Sequence, residues 1–394
     1  MNVRHIIKNC LTAALAAASL TACSLMSEDL SDCPTGLYVN FVYDYNNEGP
    51  RGSDMFKDHV GGLTLYVYDE ADRLVAQKTV SGPELTRYGY NIHFTEEELA
   101  PNHNYRLQAL ALQKDWSAAI STIGAKYRRT DLRLGDSRTN LAIKLDRIPA
   151  SLSAGQYNEV LNAAPLDTLW HTLSTIITDA PDHPAATVHH EKNDGTVTAD
   201  NGTETVRLEQ GAPTYATVSL IRDTKHLNIS INELEHPEDC STENYEVFIL
   251  DDNGDLDYAN HVTAPSDSLI YRPYAQWNYT SEGDEALATR NSAHYDIMFN
   301  RLRYVSNKLD GNAMLCIRRR SDGGIIGLFN LPYILCEGRT SYEMNTYSQQ
   351  EYLDREYDYR LHFFLLNGQW KYIYINFDVH TEAWVKRIVR VDLQ

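Results

Sequence analysis

Short apolar runs with strand-like alternation recur along the whole chain, while sustained helical periodicity is rare. Residues 37–43 (LYVNFVY) are β-branched and aromatic. They lie between a Cys33-Pro34-Thr35-Gly36 turn and a loop carrying Asn46-Asn47 and Gly49-Pro50, which predicts a first strand. Residues 54–60 predict a helical turn closed by Gly61-Gly62. Residues 63–68 and 74–80 flank an acidic turn at 69–72 and predict a hairpin. Thr95-Glu96-Glu97-Glu98 matches a capping box. Residues 105–112 and 140–148 predict strands. Residues 159–177, broken at Pro165, predict the one longer helix, and a short strand at 205–208 closes the first half.

The second half begins again with strands at 217–222 and 227–231. Residues 245–250 run into Asp251-Asp252-Asn253-Gly254, and Asn-Gly after an apolar alternation is a strong hairpin signal. LYVYDEADRL (65–74) and VFILDDNGDL (247–256) align, and a strand lies upstream of each at similar distance. This predicts an internal repeat of two β domains meeting near Gly211. Residues 265–290 read as a polar loop with aromatics. Residues 313–317 and 325–329 predict a hairpin about Asp322-Gly323, and 351–360 a short charged helix or loop. Strands at 361–366, 371–377 and 385–393 end the chain. Many short strands with few helices argue for all-β sandwiches.

The N-terminus does not fit that pattern. Arg4 and Lys8 precede an apolar run at 11–20, too short to span a bilayer, then Leu20-Thr21-Ala22-Cys23. This resembles the signal and lipobox of bacterial lipoproteins. The resemblance implies cleavage before Cys23 and acylation of its thiol and amine, several chains being needed for stable anchoring. Glu28, Asp29 and Asp32 in the following tether resemble an acidic tag that sends lipoproteins to the outer face of the outer membrane. Removing residues 1–22, which hold two bases and no acid, takes the net charge from −19 to −21. Such a chain repels phosphate backbones, which argues against nucleic acid.

Chemistry-bearing motifs are sparse. Cys33, Cys240, Cys316 and Cys336 remain after Cys10 and Cys23, and their pairing stays open among three arrangements. The 322–323 hairpin would set Cys316 opposite Phe329 rather than Cys336, against a simple bridge between those two. Asp251, Asn253, Asp255 and Asp257 begin like a calcium loop, but Gly254 is misplaced and Val262 stands where Glu should close it. A hairpin turn is the preferred reading. His189-His190 face opposite ways in a strand. Trp170, Trp277, Trp370 and Trp384 would by default serve packing. Asp167-Thr168-Leu169 and Asp267-Ser268-Leu269 resemble O-glycosylation acceptors. No catalytic motif, cofactor site or metal site is expected.

Cys23, the acidic tether, Cys33-Pro34, the Leu-Tyr-Val-Tyr-Asp hairpin, its echo at 251–254 and the aromatic closing strands together resemble the fimbrium anchoring-subunit lipoproteins of type V fimbriae. The resemblance implies two tandem transthyretin-like β-sandwich domains (33–211 and 212–394) after a signal peptide (1–22) and tether (23–32). It also implies a non-enzymatic outer-membrane lipoprotein, lipidated at Cys23, that fastens a fimbrium to the cell surface and limits its length. Its partner would be a stalk subunit joined by strand complementation, and the 385–393 strand alternates suitably for donation, although an ordinary edge strand is preferred. Stalk subunits of that class are cut by an Arg/Lys-specific protease near the N-terminus. Residues 24–50 contain no Arg or Lys, and Arg51 is the first such site. Alternative readings are a surface glycan-binding lipoprotein using exposed aromatics on one sheet face, or a stalk or tip subunit.

Overall fold

The computed structural model describes residues 34–48, 53–121, 123–149, 157–178, 205–263, 268–281, 290–375 and 387–389. The signal, Cys23, the tether, Cys33, Arg51, His189-His190, Trp384 and most of 385–393 lie outside them. Strands dominate, as the alternation predicts, and among the described residues they form three large sheets and one small one.

Sheet 1 has the order Leu74–Ser81, Gly62–Tyr68, Asn104–Leu112, Leu169–Thr178, Pro213–Arg222, Gly36–Val42, Ile92–Phe94, with Val206–Arg207 added on Asn104–Leu112. Leu37, Val39, Leu65, Val67, Leu107, Val218 and Leu220 face one core. On the opposite face, Tyr66, Tyr68, Leu110 and Leu112 pack toward Tyr127, Ile143 and Leu145. Sheet 2 has the order Ala275–Ser281, Arg290–Phe299, Lys225–Glu233, Asp358–Leu366, Gln369–Ile375, Arg387–Val389. Sheet 3 has the order Ile325–Asn330, Met314–Arg319, Tyr245–Asp251, Leu269–Tyr271, Asn158–Val160, Arg147–Pro149. Sheets 2 and 3 lay Leu227, Ile229, Ile297, Leu361 and Phe363 against Val247, Ile249, Leu315 and Phe329, which is a sandwich core.

The sheets interlock more than the repeat predicts. Pro213–Arg222 lies in sheet 1, parallel to Gly36–Val42, so the chain leaves sheet 1 only after Arg222, beyond Gly211. Strands Arg147–Pro149 and Asn158–Val160 complete sheet 3, while Ala142–Leu145 pairs with both Tyr127–Arg129 and Asp255–Asp257.

Three expectations are corrected. Residues 159–177 are not a helix: they end one strand and form Leu169–Thr178, whose first seven residues are all buried. A strand buried on both faces loses the alternation that would identify it. The Asn253-Gly254 hairpin is absent. Tyr245–Asp251 is already paired on both sides, with Leu269–Tyr271 and Met314–Arg319, and Asp255–Asp257 crosses to Ala142–Leu145 instead. Residues 265–290 include two strands, Leu269–Tyr271 and Ala275–Ser281.

The hairpins at 62–81 and 314–330 form as expected, the latter with Cys316 opposite Leu328 and Leu315 opposite Phe329. Cys336 lies in the helix Leu331–Glu337, and Cys240, Cys316 and Cys336 are buried free thiols. The capping box closes a turn, with Glu98 N donating to Thr95 Oγ1 and Thr95 N to Glu98 Oε2.

Candidate functional site

The first strand is held on both sides. Gly36–Val42 pairs parallel with Pro213–Arg222 over seven positions and antiparallel with Ile92–Phe94. Gly36 has φ +87°, and a Cβ there would lie 2.2 Å from Phe94 O, so only glycine lets the chain enter here. Tyr38 stacks on His93 at 4.1 Å, and His93 Nε2 lies 2.9 Å from Thr35 O. Gly36–Val42 is therefore an interior strand of sheet 1.

The passage from sheet 1 to sheet 2 is equally fixed. Arg222, Asp223, Thr224 and Lys225 are all buried. His171 Nδ1 lies 2.5 Å from Asp223 Oδ2, and Asn260 donates to Asp223 Oδ1 at 2.7 Å. Lys225 Nζ donates to Asp354 O and Glu356 O at 2.8 and 2.9 Å. Burial pushes Lys225 down to about 7 and Glu356 up to about 7. Arg301 grips Asp354 with two bonds of 2.6 and 2.7 Å. Burial alone would lower the Arg301 pKa, and the Asp354 carboxylate holds it above its usual value. The Arg222 guanidinium lies 3.6 Å from the Tyr357 ring centroid. Sequence reasoning passed over this link, although four polar residues joining two apolar runs without Gly, Pro or Asn were its signal.

The sheet margins differ. Two margins of sheet 1, Leu74–Ser81 and Ile92–Phe94, are bridged by Lys78. Its Nζ donates to His93 O at 2.6 Å and Glu98 Oε2 at 2.9 Å, and lies 4.5 Å from the Phe94 ring centroid. An edge lysine and a three-residue edge strand both discourage further pairing. In sheet 2, Arg387–Val389 pairs with Gln369–Ile375 and is a margin among the described residues, the edge position preferred for this segment. Ala275–Ser281 is the opposite margin.

The acidic array at 251–257 does not converge. Asp252 pairs with Arg303 and Asp255 with Arg147. Asp257 Oδ1 accepts from Ala259 N and His261 N. Asn253 is buried, donating to Asn300 O and Arg301 O at 3.0 Å and accepting from Tyr271 Oη at 2.5 Å. Burial pushes Asp251 up to about 7. Thr168 is buried and donates to Gln113 Oε1, so the first glycosylation-like motif is not accessible. Trp170 is buried against Tyr43, Trp370 packs on Phe329, and Trp277 is 41% exposed. No helix of the described residues is long and apolar enough to cross a membrane.

A family model described as fimbrillin-A associated anchor proteins Mfa1 and Mfa2 matches residues 30–389. No curated protein matches the sequence. Among solved structures, a candidate polysaccharide-binding protein from Bacteroides thetaiotaomicron is similar at 23% identity, covering 92% of this chain and 100% of that one (TM-score 0.62). A candidate adhesin from the same species is similar at 22% identity, covering 88% and 97% (TM-score 0.63). The fimbrial anchor protein Mfa2 of Porphyromonas gingivalis is similar at 16% identity, covering 87% and 98% (TM-score 0.49).

Proposed function

The chain belongs to the family of fimbrillin-A associated anchor proteins, and from that premise we propose that it is an outer-membrane lipoprotein that fastens a fimbrium to the cell surface and limits its length. Cys23 carries the lipid, the 23–32 tether leads out of the membrane, and a stalk subunit docks by adding a strand to the sheet 2 margin at Arg387–Val389. The function is mechanical, and no catalytic residue, cofactor or metal takes part.

The observation that carries the reading is the interior position of Gly36–Val42, directly after the tether. A pull at the lipid loads a seven-residue parallel ladder along its strands, so its hydrogen bonds resist together rather than opening one by one. From there the load passes to sheet 2 through the buried Arg222–Lys225 link. With no Arg or Lys at 24–50, an Arg/Lys-specific protease has no site between lipid and first strand.

The test isolates membranes from cells producing wild type or Cys23→Ala and measures how much fimbrial stalk sediments with them. Wild type is expected to incorporate radiolabelled palmitate and retain stalk, while the variant incorporates none and releases stalk to the medium. Equal retention by the variant would overturn the reading.

A further inference from the structure

Sheet 2 turns one face to the sandwich core and the other outward, and the outward face is not an ordinary solvated surface. Register sets Trp277, His294, Ser230, His362 and Tyr374 in one row across five strands. The next row is Tyr279, Ser292, Asn232, Phe364 and Tyr372. The rings associate within the sheet. Trp277 stacks on His294 at 5.2 Å and 13°, and Phe364 lies 5.0 Å from both Tyr372 and Tyr374. Trp277 and Tyr279 remain 41% and 58% exposed, and Phe364, Tyr372 and Tyr374 are half-buried. Four strand spacings separate Trp277 from Tyr374, about 19 Å.

At one end this face descends into a cleft of about 600 Å³ whose far wall is Pro165, Leu166 and Thr168. Its sheet side carries His226, Asn228, Asp296, Asp358, Arg360 and His362. Asn228 donates to Asp296 Oδ1 at 2.7 Å, and His226 Nδ1 lies 2.6 Å from Asp358 Oδ1. His362 Nδ1 lies 2.6 Å from Ser230 Oγ, while its Nε2 is buried without a partner. The cleft is of ligand size, and amide, imidazole and carboxylate side chains line it.

We infer that this face and its cleft bind an extended, neutral polysaccharide. A pyranose ring has an apolar C–H side and a rim of hydroxyls. Exposed ring faces at fixed spacing match the first. Amide, imidazole and carboxylate groups match the second, since each hydroxyl both donates and accepts. In the cleft His226 pairs with Asp296 and Asp358, and Arg360 with Asp358, so these charges already have partners and an uncharged sugar needs no counter-charge. The rows run the width of the sheet, so the ligand is a chain rather than a monosaccharide. This inference is independent of the anchoring role.

The test is affinity electrophoresis of the full mature chain through gels containing mannan, xylan or arabinogalactan, with Trp277→Ala, Tyr372→Ala and His362→Ala beside wild type. Tyr88→Ala removes an exposed ring outside sheet 2 and is the control. Circular dichroism and thermal melts confirm that each variant is folded. Wild type and Tyr88→Ala are expected to be retarded by at least one polysaccharide, with Trp277→Ala and Tyr372→Ala each about tenfold weaker. Absence of retardation in all three gels would overturn the inference, as would retardation unchanged by those substitutions. So would variants that lose co-sedimentation with fimbrial stalk while keeping their mobility shift, since the face would then be a protein interface.

Discussion

The stretches at 65–74 and 247–256 share an apolar strand, an acidic turn and a closing leucine, and they fold differently. At the first, Asp69 Oδ1 accepts from Ala71 N and Arg73 N at 2.9 and 2.8 Å, Asp72 takes φ +56°, and the chain returns as Leu74–Ser81. At the second, Tyr245–Asp251 has both sides occupied, so no edge is left for a return strand. Gly254 does not adopt positive φ. Its small size matters instead, because a Cβ would lie 2.5 Å from Leu269 Cδ1. The first stretch is organised by its own neighbours, the second by residues far away in sequence. A turn signal marks where a chain changes direction, while the vacancy beside the preceding strand decides where the next strand pairs.

That contrast is open to direct attack. The largest effect is expected at Asp354, whose removal strands the buried Arg301 that supports Asn253 through its carbonyl. Asp354→Ala should cost about 3–5 kcal/mol in urea unfolding. Asn253→Ala takes their side-chain partner from two carbonyls and from the Tyr271 hydroxyl proton and should cost about 3 kcal/mol. A loss below that of Asp69→Ala would erase the distinction between the two stretches.

A pH series probes another contact distant in sequence. Burial alone would lower the His226 pKa, but hydrogen bonds with Asp296 and Asp358 outweigh it and raise the value to about 9. The folded value exceeds the unfolded one, so the stabilisation is complete below about pH 6.5 and is lost as pH rises through about 9. The expected loss is about 3 kcal/mol, and His226→Gln should flatten it. Gly254→Ala should cost about 1–2 kcal/mol by crowding Leu269. The smallest effect belongs to Asp69→Ala, about 0.5–1 kcal/mol by the same unfolding assay, because its bonds lie at an exposed turn.

The same division explains what could be read from the chain. The 62–81 and 314–330 hairpins were legible because strand and turn lie within a few residues and one strand in each keeps some alternation. Leu169–Thr178 was not, because it lies between Pro213–Arg222 and Asn104–Leu112 and needs apolar groups on both faces. Ala275–Ser281 read as loop because an edge strand with an outward face carries polar residues. Of the site, the absence of basic residues upstream of the first strand was visible in sequence. The partners of the 222–225 junction were not, since His171, Asn260 and residues 354 and 356 come from three distant places. The outward rows of sheet 2 required register, because their rings come from separate strands.

Lys78 has a consequence for assembly. By lacing together two borders of sheet 1, it hinders a further chain from joining at either of them. A polymer unit that can extend in only one direction is monofunctional, and monofunctional units terminate chains. On the proposed reading, a hindered border is what a terminating unit needs, and freeing it would give the stalk one more edge to grow from.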